Sequence, residues 1–107
     1  MLKGTLPLLI LALLKQGDAY GYGLVGQLHG VGLPHVVSGT VYPLIARLEH
    51  DRLIASYLQP SDAGPVRKYY RITASGRAYL DAETARWERL ASVTSSVLHS
   101  RHSQELS

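Results

Sequence analysis

A run of apolar residues near the N-terminus, LPLLILALL from Leu6 to Leu14, limits what this chain can become. Leu6, Leu9, Ile10, Leu13 and Leu14 follow the i, i+3, i+4, i+7, i+8 rule, which predicts a helix. Leu8, Leu11 and Ala12 fill much of the other side. A helix that is apolar nearly all round has to be buried on more than one face. The run is far short of the ~20 residues that span a bilayer, so no membrane partner is expected. It has the length of a signal-peptide core, but Lys15, Gln16, Gly17 and Asp18 follow it instead of a small-residue cleavage pattern. A cytoplasmic location is therefore expected. A chain of 107 residues is the size of one domain with a modest core. A second subunit is the expected cover for the surplus apolar surface.

Punctuation divides the rest. Pro7 falls in the first turn of the first helix, where a missing N–H is harmless. Gly17 and Asp18 stop that helix. A second helix is expected from about Tyr20 to His29, with Leu24, Val25 and Leu28 inward, and Gly30 to Pro34 break it. Ser38 has the chemistry of an N-cap for a third helix. In that helix Val41, Leu44, Ile45 and Leu48 form the inward stripe. Its opposite face carries Gly39, Pro43, Ala46, Arg47 and His50, flanked by Thr40 and Tyr42. Two strand-like runs follow, Ile54 to Gln59 and Arg67 to Thr73, around a turn-rich tip from Pro60 to Pro65. Tyr70, in phase with Ile72, is the expected core residue of the second run. Thr73 can cap a last helix from about Ala74 to Leu98. Leu80, Trp87, Leu90, Val93 and Val97 give it an apolar seam that Glu83 and Thr94 interrupt. The tail beyond is polar. There is no internal repeat or linker.

This order predicts a mainly α fold with a small β-hairpin: a winged helix-turn-helix over residues 1–73, a dimerisation helix over 74–100 and a polar tail over 101–107. Composition agrees with a globular chain, 46% apolar and 18% charged. The net charge of +3 and a pI of 9.4 make nucleic acid a reasonable partner. The third helix could anchor by its apolar face and enter the major groove of double-stranded DNA by the other. Gly39, Thr40 and Pro43 permit close approach. Tyr42, Arg47 and His50 can donate to phosphates or base edges. Arg67, Lys68 and Arg71 of the hairpin can hold the backbone beside the groove.

The stretches LKGTLPLLILALL from Leu2, GYGL from Gly21, SGTVYPLIARLE from Ser38 and RKYYRITASGR from Arg67 resemble, in order, signatures of PadR-family regulators. The short last helix is similar to the compact members of that family. The resemblance implies a homodimer on an operator with two half-sites, usually as a repressor, with the last helix packed on the partner's first helix. It maps Thr40, Tyr42, Pro43 and Arg47, next to Ser38, onto the recognition helix. Arg67, Lys68 and Tyr69 fall on the wing, and Lys3 and Tyr22 near the DNA backbone. Leu9, Leu13, Trp87, Leu90, Val93 and Val97 would form the effector and dimer surface. The tip SDAGPV and the glycine-rich second helix depart from the family pattern, which leaves operator sequence open.

The signal sensed has two readings. Trp87 is the only tryptophan. It can pack in a dimer core; alternatively, by the resemblance, it can line a pore that stacks on a planar drug-like or phenolic effector. No cofactor is required. His99 and His102 share a helical face, and with Glu105 they could instead bind a divalent metal such as Zn, Cd or Ni. His29 with His35, and His50 with Asp51, are further pairs. The absence of cysteine excludes thiolate sites and thiol catalysis. Ser38, His50 and Asp51 do not form a hydrolase triad, because neighbours on a helix diverge. No phosphate loop, nucleophile elbow or HExxH motif is present, so an enzyme is not expected. A winged helix used only for protein contacts would lack the basic wing.

Overall fold

The computed structural model describes residues 2–100, with side chains from Gly4 onward. Four helices and a small sheet follow in the order α1 (Leu2–Gln16), β1 (Ala19–Tyr20), α2 (Gly21–Gly30), α3 (Ser38–His50), β2 (Ile54–Ser61), β3 (Gly64–Ile72) and α4 (Ala74–Leu98). The sheet is antiparallel throughout, with β3 between β1 and β2. The fold class is the expected one, mainly helical with a winged hairpin.

The core is one cluster. α1 contributes Leu6, Ile10, Leu11 and Leu14, α2 contributes Leu24, Val25 and Leu28, and α3 contributes Val41, Ile45 and Leu48. Ile54, Tyr70, Ile72 and Leu80 close it from the sheet and the start of α4. Leu8, Leu9, Ala12 and Leu13 of α1 pack only partly against this cluster. That is the expected consequence of a helix with more apolar surface than one chain can cover. No polar or charged side chain is buried among the described residues.

Three local features differ from the sequence expectation. The first is β1, where Ala19 pairs with Tyr70 and Tyr20 with Tyr69. Two residues are too few to show a period of two. The second is the start of α3. Val37, not Ser38, holds the N-cap position in extended backbone, with no side-chain cap bond. Its carbonyl accepts from the Thr40 and Val41 amides at 3.0 and 3.2 Å. Ser38 is the first helical residue and is exposed. The third is the hairpin, which runs further than expected, to Ser61 and from Gly64, with a bulge between Gln59 and Ser61. Pro60 lies in that bulge, where its missing N–H breaks no ladder bond.

Helix ends set the angles between elements. α2 and α3 both end in Schellman turns. After α2, Gly32 at φ 116° donates to the His29 carbonyl and Leu33 to that of Leu28. After α3, Arg52 at φ 61° donates to the Glu49 carbonyl and Leu53 to that of Leu48. α4 starts at Thr73, as its sequence suggests. The Thr73 hydroxyl accepts from the Gly76 amide at 3.0 Å and donates to the Arg52 carbonyl at 2.7 Å. One threonine therefore caps α4 and pins it to the end of α3.

Candidate nucleic-acid interface

α3 is amphipathic, and its buried stripe of Val41, Ile45 and Leu48 decides which residues face out. Gly39, Pro43, Ala46 and His50 lie on the opposite side and are exposed. Thr40 and Arg47, seven residues apart, share one flank; Tyr42 and Glu49 share the other. The Thr40 flank borders an open, mainly apolar cleft of about 760 Å³, where Thr40, Pro43 and Arg47 meet Leu6 and Pro7 of α1 and Leu33 of the α2–α3 linker. On the other flank, the Tyr42 ring lies against Gly21 at the start of α2, where any side chain would collide with it. That contact holds the ring in place while 44% of Tyr42 stays exposed. Tyr22, the next residue of α2, is largely exposed.

The hairpin does not present its basic residues as one patch. Neighbours on a strand point to opposite faces, so Arg67, Tyr69 and Arg71 share one face of β3, and Lys68, Tyr70 and Ile72 the other. On the first face a row of tyrosines forms. The Tyr69 ring lies 5.5 Å from that of Tyr20 and 5.9 Å from that of Tyr57. The Arg67 guanidinium covers Tyr20 at 4.6 Å, and the Tyr57 hydroxyl donates to Asp18 at 2.6 Å. This bond to the carboxylate pushes the Tyr57 phenol above its ordinary range. Tyr69 is half-buried in that row, so its ring is used within the protein. On the second face Lys68 meets Glu49 of α3 at 3.7 Å. Arg67, Lys68, Tyr69 and Arg71, expected together on the hairpin, are divided by the pleat. Asp18, Tyr20, Glu49 and Tyr57 were not expected at the site, since their contacts cross from one element to another.

The expected effector and dimer residues lie away from this face. Trp87 is 50% exposed, and Leu90, Val93 and Val97 are more exposed still, in a stripe along α4. A second cleft, about 610 Å³, runs between α1 and α4 and includes Leu8, Trp87, Leu90 and Ala91. Leu9 and Leu13 are half-buried on α1. His99 ends α4 with Nδ1 bonded to the Ser95 carbonyl at 2.8 Å. The Lys3 side chain, His102 and Glu105 lie outside the described residues. Among the described residues no group of three potential metal ligands occurs, and His29 is engaged with the Val36 carbonyl at 2.6 Å. No described helix is long and apolar enough to cross a membrane.

Comparison with known proteins gives one consistent result. Residues 10–82 match the transcriptional regulator PadR-like family. The chain is 35% identical over 89 residues to the transcriptional regulator Rv3488 of Mycobacterium tuberculosis, covering 83% of this chain and 81% of that one. Among solved structures, a PadR-like transcriptional regulator from Bacillus cereus superposes with a TM-score of 0.85 at 36% identity, covering 92% of this chain and 96% of that one. A PadR family regulator from Eggerthella lenta gives 0.81 at 38% identity, with 91% and 84% covered. With a family match over most of its length and a winged helix at its centre, the chain belongs to the PadR-like family of DNA-binding transcriptional regulators and is not an enzyme.

Proposed function

We propose that the chain is a cytoplasmic repressor that binds a palindromic operator as a homodimer and is released by a small planar effector. The observation that carries DNA binding is the juxtaposition of the small, exposed face of α3 with a hairpin bearing Arg67, Lys68 and Arg71. A helix face of Gly39, Thr40 and Pro43 can approach base edges, and Tyr42 and Arg47 on its flanks can donate to them or to phosphates. Arg67, Lys68 and Arg71 add a sequence-independent grip. The exposed stripe of Trp87, Leu90, Val93 and Val97 supports the dimer. An apolar helix face of this kind needs a partner, and a second copy brings a second reading helix to the other half-site. The cleft beside Trp87 supports a flat aromatic effector, phenolic or drug-like, bound where the subunits meet.

Selection of bound sequences from a random DNA pool, repeated with planar effectors present, tests this reading. The expected result is a palindromic consensus whose binding the effector weakens, with quenching of Trp87 fluorescence. Enrichment of no sequence would sink the repressor reading, and a non-palindromic half-site alone would sink the dimer.

A further inference from the structure

One side chain joins the reading helix to the wing. Glu49 lies on the α3 flank that faces the hairpin and is only partly exposed. Its Oε2 accepts a 2.6 Å hydrogen bond from Ser56 Oγ on β2. Its Oε1 lies 3.7 Å from Lys68 Nζ on β3. The Lys68 ammonium is also 5.6 Å from the centre of the Tyr70 ring. The register explains how one carboxylate reaches both strands. Ser56 pairs with Tyr70 and Leu58 with Lys68, so Ser56, Lys68 and Tyr70 share the face of the hairpin turned toward α3.

We propose that Glu49 is a positioning residue for operator recognition, a clasp that holds α3 and the wing as one unit. The proposal rests on the regulator reading above. A carboxylate hydrogen-bonded to β2 and ion-paired with β3 from the helix side restricts the angle between helix and hairpin before DNA is met. Groups ordered in advance lose less freedom on binding. A fixed angle also means that bases under α3 and phosphates under the wing must be met together, which the operator satisfies and arbitrary DNA does not. With the clasp open, the wing and Lys68 settle on phosphates of any sequence, and the operator loses part of its advantage.

The test uses the full chain and three variants. Glu49→Gln weakens the link to Lys68, Ser56→Ala removes the bond to β2, and Ser56→Thr keeps the hydroxyl. Two quantities are measured: the ratio of operator to non-specific affinity at one salt concentration, and, without DNA, the spread of distances between spin labels at Ala46→Cys on α3 and Asp62→Cys at the wing tip. The chain has no native cysteine, and dilution into unlabelled protein confines the signal to one subunit. Ser56→Ala should lower the ratio about fivefold, the scale of one net hydrogen bond. Glu49→Gln, which keeps an acceptor for Ser56 and loses only a part-exposed ion pair, should lower it about twofold. Both should broaden the distances. Ser56→Thr should restore both. A parental ratio in Ser56→Ala overturns the proposal, as does a lowered ratio with unbroadened distances, which would make Glu49 a charge and not a clasp. A parent chain without a preferred DNA sequence overturns the regulator reading, and with it the operator role given to Glu49. The label distances would still show whether the clasp exists.

Discussion

Arg52 occupies a left-handed position that glycine usually fills where a helix ends this way. Its left-handed backbone closes the turn after α3, and a residue with a Cβ pays about 1–2 kcal/mol for that conformation. Arg52→Gly should therefore raise stability by about 1 kcal/mol in urea unfolding; a loss would mean that the arginine side chain stabilises the turn by more than it strains it. The carbonyl of the same residue receives the Thr73 hydroxyl. Thr73→Ala removes that bond together with the cap of α4 and should cost about 1–2 kcal/mol. The two positions differ in legibility for a physical reason. Thr73 was readable because a cap is a side-chain function placed just before a helical pattern. Arg52 was not, because the turn is fixed by backbone bonds that leave no mark on residue type. Ser38 shows the converse. It has cap chemistry at nearly the right place, but Val37 takes the cap position and Ser38 becomes the exposed first residue of the helix.

The hairpin is the element where the sequence revealed residue types and hid their directions. Its strands, its basic character and the burial of Tyr70 follow from composition and alternation. Its division into two faces follows from the pleat, but its third strand and the row of tyrosines on one face depend on pairing with Ala19 and Tyr20, far off in the chain. That division makes the two basic faces inequivalent. Arg67→Ala should flatten the logarithmic salt slope of DNA binding by up to about 0.9 and also loosen the tyrosine row through Tyr20. Lys68→Ala should flatten the slope while leaving that row intact. Equal slopes in parent and double variant would remove Arg67 and Lys68 from the DNA interface. A pH effect belongs to this element too. The bond to Asp18 favours the neutral Tyr57 phenol and raises its pKa. Its stabilising contribution is therefore full below the ordinary tyrosine value and is lost as pH rises through the raised one. Unfolding followed above about pH 10 should show a loss of stability in the parent that Tyr57→Phe lacks.

At the scale of the whole molecule, the order of three helices, hairpin and helix was legible because each stretch carries its own period and punctuation. The cleft beside α3 was not, since it is made by α1, a linker and α3 at once. The surplus apolar surface was legible on α1 and as the apolar seam of α4, and the structure leaves Trp87, Leu90, Val93 and Val97 of that seam exposed. Light scattering should give a dimer for the intact chain and a monomer for one truncated after Leu80; an intact monomer would exclude the two-half-site arrangement. The core itself carries a last consequence. With only apolar side chains and Tyr70 inside the described residues, the interior holds no group that changes charge near neutral pH. The packed core thus has no charge to gain or lose in that range. Any message it relays has to be received at a boundary, where the chain touches another molecule.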